Sequence, residues 1–163
     1  MIQGSRPRGG FTYIEAMVAV AIVALFFAAL YALNAQSLYV LNAGRETAAA
    51  GQSLQDRIEQ VRSCTWAQLT DASYIQNNIL NASTTSGSSI GGSTETVTLN
   101  AYPVATTPTR VVRTNGSAST TATNANLVNG DMVRIDVSLT WVSGPGGRPR
   151  SQSLSSIIAK NVP

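Results

Sequence analysis

Gly10-Phe11-Thr12-Tyr13-Ile14-Glu15 opens the apolar run AMVAVAIVALFFAALYAL, residues 16–33. Ahead of it lies a short leader, Met1 to Gly10, whose only charges are Arg6 and Arg8. Behind Glu15 no charged side chain occurs until Arg45. A run of about 18 residues makes roughly 27 Å of α-helix at ~1.5 Å per residue, enough to cross most of a bilayer's hydrocarbon core. A basic flank before an apolar span puts the flank on the cytoplasmic side and the bulk of the chain on the other. The stretch therefore reads as a single span with the C-terminal mass outside the cytoplasm.

Composition narrows the chemistry of that mass. Of 163 residues some 30 belong to leader and span, leaving one modest domain, poor in charge (12%) and aromatics (6%). The formal charge of +3 owes much to the leader. Setting Arg6 and Arg8 aside leaves nine basic residues against eight acidic ones, so net charge offers no support for a nucleic-acid role. With no His and a single Cys64, the chain has neither an internal disulfide nor the usual ligands of a zinc site. A Ser–His catalytic pair is excluded as well, and no catalytic constellation is visible. No cofactor is expected.

Three readings compete for residues 1–33. A cleavable secretory signal has an apolar core of about 7–15 residues and a small-residue cleavage site. This run is longer, and Leu33-Asn34-Ala35 puts a large residue where a small one is wanted. An ordinary signal anchor fits the length but leaves Glu15 unexplained. A carboxylate well inside a span costs about 2–3 kcal/mol, less near the interface, and so asks for a partner.

The third reading supplies one. Gly10-Phe11-Thr12-Tyr13-Ile14-Glu15 with its apolar helix resembles the type III signal of type IV prepilins and type II secretion pseudopilins. The resemblance implies that a prepilin peptidase cuts between Gly10 and Phe11 on the cytoplasmic side and N-methylates Phe11. Tyr13 stands where the family usually has an aliphatic residue. The new amine of Phe11 and Glu15 would lie at one helix end, where an acid is favourable. In a staggered bundle Glu15 of one subunit could neutralise Phe11 of a neighbour. A buried pair is costly to break, about 3–5 kcal/mol, and so sets register. The implied partners are the peptidase, other major or minor pilins or pseudopilins, the inner-membrane assembly platform and, before assembly, the lipid bilayer. The implied location is the bacterial inner membrane, with the head periplasmic or carried to the cell surface in a filament.

Beyond Asn34 the helical period continues. Leu41, Gly44, Ala48, Gly51, Leu54, Ile58 and Val61 recur at three- and four-residue steps, with Glu46, Gln52, Asp56, Glu59 and Gln60 away from them. No proline occurs between Gly9 and Tyr102, so one helix is expected from about Phe11 to Arg62. Residues 11–33 are its membrane half and 34–63 its extracytoplasmic half. Leu54, Ile58 and Val61 are the expected head-packing stripe. Gly44 and Gly51 each cost about 1 kcal/mol relative to Ala. Either they allow close packing or they let the helix loosen during assembly.

Residues 64–163 form the expected head. Cys64 reads as a small buried hydrophobe beside the helix end, with a reactive or intermolecular thiol as the alternative. Residues 66–80 fit either a second short helix or an ordered loop, and 81–94 and 114–126 read as polar loops. Strands are expected from Glu95 to Ala101, from Thr109 to Thr114, from Asp131 to Val142 and from Arg150 to Lys160. Val133, Ile135, Val137, Leu139 and Trp141 alternate with Arg134, Asp136, Ser138 and Thr140, the clearest period of two in the chain. The class is α+β, a long helix covering an antiparallel sheet of about four strands.

The last hairpin resembles, more weakly, the C-terminal ends of V-type minor pilins and I-type minor pseudopilins. The paired cysteines of major pilins and the clustered acids of major pseudopilins are missing, which favours a minor subunit. Such a subunit would prime or cap a type IV pilus or a secretion pseudopilus. The alternative is a DNA- or surface-binding module using Arg110, Arg113, Arg134, Arg148 and Arg150. Strand charges are more often a solvated face, and the interleaved aromatics useful for single strands are absent.

Overall fold

The computed structural model describes residues 12–103, 107–144 and 147–160. Helix α1 spans Tyr13–Arg62, as the unbroken helical period and the lack of proline predict. It contributes to two compact units, 1–41 and 42–163, which are taken in turn.

In the first unit α1 is apolar on every side. All described side chains from Thr12 to Asn34 are exposed, including Ile14, Ile22, Leu25, Phe26 and Phe27. A helix hydrophobic all round has no soluble face. This one is long and apolar enough to cross a membrane by length and composition. Near its far end the Ser37 hydroxyl donates to the Leu33 carbonyl at 2.9 Å and is satisfied within the helix.

The second unit is built on five antiparallel strands: β1 (Thr94–Tyr102), β2 (Thr109–Thr114), β3 (Ser117–Ala122), β4 (Met132–Ser143) and β5 (Arg148–Ala159). Their spatial order is β3-β2-β1-β4-β5, one strand more than expected. The fold is α+β, with the C-terminal part of α1 covering one face of this sheet. The added strand lies inside the expected polar loop 114–126. Its segment SASTTA has no apolar alternation, so periodicity could not reveal it. Asn115 (φ 51°) and Gly116 (φ 87°) both take the left-handed region, as a two-residue hairpin turn that twists with its strands requires. Gln76 then fixes the strand, its Oε1 accepting from the Thr120 amide at 3.1 Å and hydroxyl at 2.7 Å.

The covered face carries Val97 and Leu99 of β1, Val111 of β2, and Val133, Ile135, Val137, Leu139 and Trp141 of β4, all buried. Leu54, Ile58 and Val61 meet them from α1, as the stripe predicted. Fully burying such a side chain is worth about 1.5–3 kcal/mol, so these three fasten the helix to the sheet. The N-terminal part of the predicted stripe is different. Leu41, Gly44 and Ala48 are exposed, and between residues 41 and 51 the buried or half-buried positions are Ala43, Glu46, Ala49, Ala50 and Gly51. Steps averaging about 3.3 residues drift around a helix that repeats every 3.6, so the two ends of the predicted stripe cannot share a face. Glu46, expected to point away, accepts from Trp141 Nε1 at 3.2 Å. In β5, Leu154 and Ile157 stay largely exposed and only Ile158 packs partly against the core.

Residues 66–80 are helical in three pieces: α2 (Trp66–Thr70), α3 (Ala72–Tyr74) and a π-helical turn, Ile75–Ile79. Thr65 starts α2 through a capping box with Gln68. The polar segment 81–94 is docked rather than loose. Thr84 is buried against Ser53 of α1, hydroxyl to hydroxyl at 2.6 Å, and its Oγ1 accepts from the Gly87 amide at 3.0 Å. A Cβ on Gly87 would fall 2.7 Å from Thr84 Oγ1 and 2.8 Å from Ser53 Oγ, so only glycine fits there. The two α1 glycines divide: a Cβ on Gly51 would touch Gln152 Nε2 at 3.4 Å, whereas one on Gly44 would meet nothing. At Gly51 that is an ordinary contact with the end of a flexible side chain, so packing within this chain requires glycine at neither position.

Candidate functional site

The N-terminal end of α1 concentrates the features that call for a partner. Thr12 caps the helix: its carbonyl accepts from the Ala16 amide at 3.1 Å, the first intrahelical bond. Its hydroxyl accepts from the Glu15 amide at 3.3 Å, and Glu15 Oε2 accepts from the Thr12 amide at 2.9 Å. The Thr12 hydroxyl also donates to that same Oε2, at 3.0 Å. This is a reciprocal capping box, the Ser/Thr-x-x-Glu pattern. It gives Glu15 a local role in starting the helix that the search for a distant partner overlooked, although the spacing was visible. An acid in the first turn also complements the partial positive charge of the helix end. The expected cleavage and methylation positions, Gly10 and Phe11, lie outside the described residues.

One Oε2 thus serves two donors from Thr12, while no described residue bonds to Oε1. A carboxylate offers about four lone-pair sites over its two oxygens, so the capped Glu15 retains the capacity to accept from a further cation. The site is a charged helix tip at one end of an apolar rod.

The five arginines of the alternative reading do not form one surface. Directly paired residues of antiparallel strands share a face. Arg110 and Arg134 lie on the outer face, with Arg134 Nη2 held by Asp136 at 2.8 Å. Arg113 pairs with Glu95, Arg150 with Trp141 and Arg148 with Ser143, all on the covered side of the sheet. The arrangement splits the charge over two faces and neutralises part of one.

Sequence reasoning passed over Arg57 altogether. It is buried on α1 and saturated: Nε donates to Glu95 Oε1 at 2.6 Å, and Nη2 to Glu95 Oε2 at 2.8 Å and to the Ala82 carbonyl at 2.9 Å. Nη1 donates to Gln60 Oε1 at 2.8 Å and to the Ile79 carbonyl. The guanidinium thereby ties α1, the π turn, the 81–94 segment and β1 together. Such a group organises the head and is not exposed for chemistry. Cys64 is half-buried, its thiol donating to the Gln60 carbonyl at 3.4 Å, and burial pushes the thiol pKa up. That makes it a poor nucleophile. Among the described residues no group of three or more His, Cys, Asp or Glu side chains could hold a metal ion.

No family model matches this chain, and no curated protein or solved structure matches it.

Proposed function

We propose that the chain is a minor subunit of an inner-membrane-assembled filament, a type IV pilus or a type II secretion pseudopilus, and not a catalyst. The observation that carries this reading is the apolar length of α1 exposed on every side, begun by a capped acid at its tip. A rod of this kind has two environments that satisfy it, a bilayer and a bundle of similar rods. In the membrane the capping box satisfies the helix start and holds Glu15 near the interface. In a bundle, a prepilin peptidase having cut between Gly10 and Phe11, the methylated amine of Phe11 on a neighbour reaches Glu15 and sets the stagger. The compact head, joined to the C-terminal part of the same helix, is then carried on the periplasmic side and shapes the outside or the tip of the filament.

The capping box allows a sharp test. Glu15→Gln keeps the pattern Ser/Thr-x-x-Glu/Gln and removes only the charge, whereas Glu15→Leu removes both. On the proposed reading both variants insert in the membrane and both are depleted from sheared filaments. Wild-type recovery of Glu15→Gln in filaments would show that the acid only caps the helix. Absence of the wild-type chain from every filament fraction would end the reading itself.

A further inference from the structure

Arg113 differs from the other arginines of the head. It lies on the covered face of β2, half-buried, and makes no hydrogen bond or ion pair among the described residues. Its Nε is shut off from solvent with no acceptor. Its cross-strand partner Glu95 already holds Arg57 with both carboxylate oxygens. The three charges together leave one positive charge unmatched, and the low dielectric around partly buried groups makes that imbalance more consequential than on an open surface.

The unmatched group borders a void. Arg113 lines a cavity of about 200 Å³, open on one side, together with Ser83, Ser88, Ser93 and Asn115. The hydroxyls of Ser83 and Ser93 and the side-chain amide of Asn115 have no partner among the described residues, whereas Ser88 donates to the Thr85 carbonyl at 2.7 Å. No carboxylate lines the space. Drug-sized ligands occupy about 300–1,000 Å³, so this cavity takes a single polar group. A guanidinium fork with hydroxyl and amide donors around it matches a small, negatively charged acceptor with several oxygens.

We infer that this cavity, under the 83–93 segment, is a binding site for an oxyanion, the phosphate or carboxylate group of a small solute. The group accepts from the terminal Nη groups of Arg113 and from the Ser83 and Ser93 hydroxyls, and it neutralises the charge that Arg57 and Glu95 leave over. The inference does not rest on the filament reading.

The test follows the Arg113 Nε–H resonance of the full-length chain in detergent micelles. Inorganic phosphate and acetate are titrated separately, each at constant ionic strength. A saturable shift with a Kd on the order of 1 mM for either probe is expected, and the tighter probe identifies the group. Arg113→Lys keeps the charge and loses the fork, so binding read from the Ser83 and Ser93 amides should weaken about tenfold. The inference is overturned if neither probe produces a saturable shift in the wild-type chain. It is overturned equally if Arg113→Lys binds as tightly as wild type.

Discussion

Arg57 of α1 and Glu95 of β1 form a bidentate ion pair closed to solvent, with side chains 1% and 5% exposed. The pair joins a helix to a sheet across 38 residues of sequence. Removing one partner leaves an uncompensated buried charge and costs about 3–5 kcal/mol. Arg57→Met and Glu95→Leu should each destabilise the head by that order, while the double variant should lose much less than their sum. Denaturant unfolding of the four chains measures the coupling. Additive losses would mean that the pair contributes no mutual stabilisation.

Alanine substitutions at Gly44 and Gly87 should act in opposite directions. Gly44→Ala adds a methyl group into open space and raises helix propensity, a gain of about 1 kcal/mol. Gly87→Ala drives a methyl group into the Ser53–Thr84 hydroxyl pair and should cost about 1–3 kcal/mol. A thermal unfolding midpoint that does not fall for Gly87→Ala would contradict the packing described for residues 81–94.

Cys64 should show a pH signature. Burial raises its folded pKa, so the folded chain keeps the thiol proton after the unfolded chain, with a value of about 8.5, has begun to lose it. Between the two values the unfolded state binds fewer protons, and stability declines as pH rises. Below the unfolded value the thiol makes no difference. Alkylation rates should accordingly reach half their maximum at a higher pH in the folded chain than in denaturant. The reverse order would show that Cys64 sits in an environment that favours the thiolate.

Much of this fold could be read in the residues. The period of two from Val133 to Trp141 marked the strongest strand, and Leu54, Ile58 and Val61 marked the helix face that covers it. What escaped did so for physical reasons. Strand β3 has no apolar period, and its one signal is the Asn115-Gly116 dipeptide inside a polar segment. Arg57 carried no signal in the sequence, because its partner is distant along the chain and only folding brings them together. The 81–94 segment looked loose by composition, yet small hydroxylated residues are what allow Thr84 and Gly87 to approach Ser53. At the N-terminus, Thr12 and Glu15 stood at capping-box spacing, masked by the more unusual fact of an acid at the edge of a long apolar run.

The proposed function requires that this chain be matured as a prepilin and act through its apolar helix in a filament. The mass of the mature protein, isolated from the membranes of its own cells, tests it most directly. The expected mass is that of a chain that begins at Phe11 and carries one additional methyl group on its N-terminus. A chain beginning at Met1, or one cut after Ala35, would contradict it.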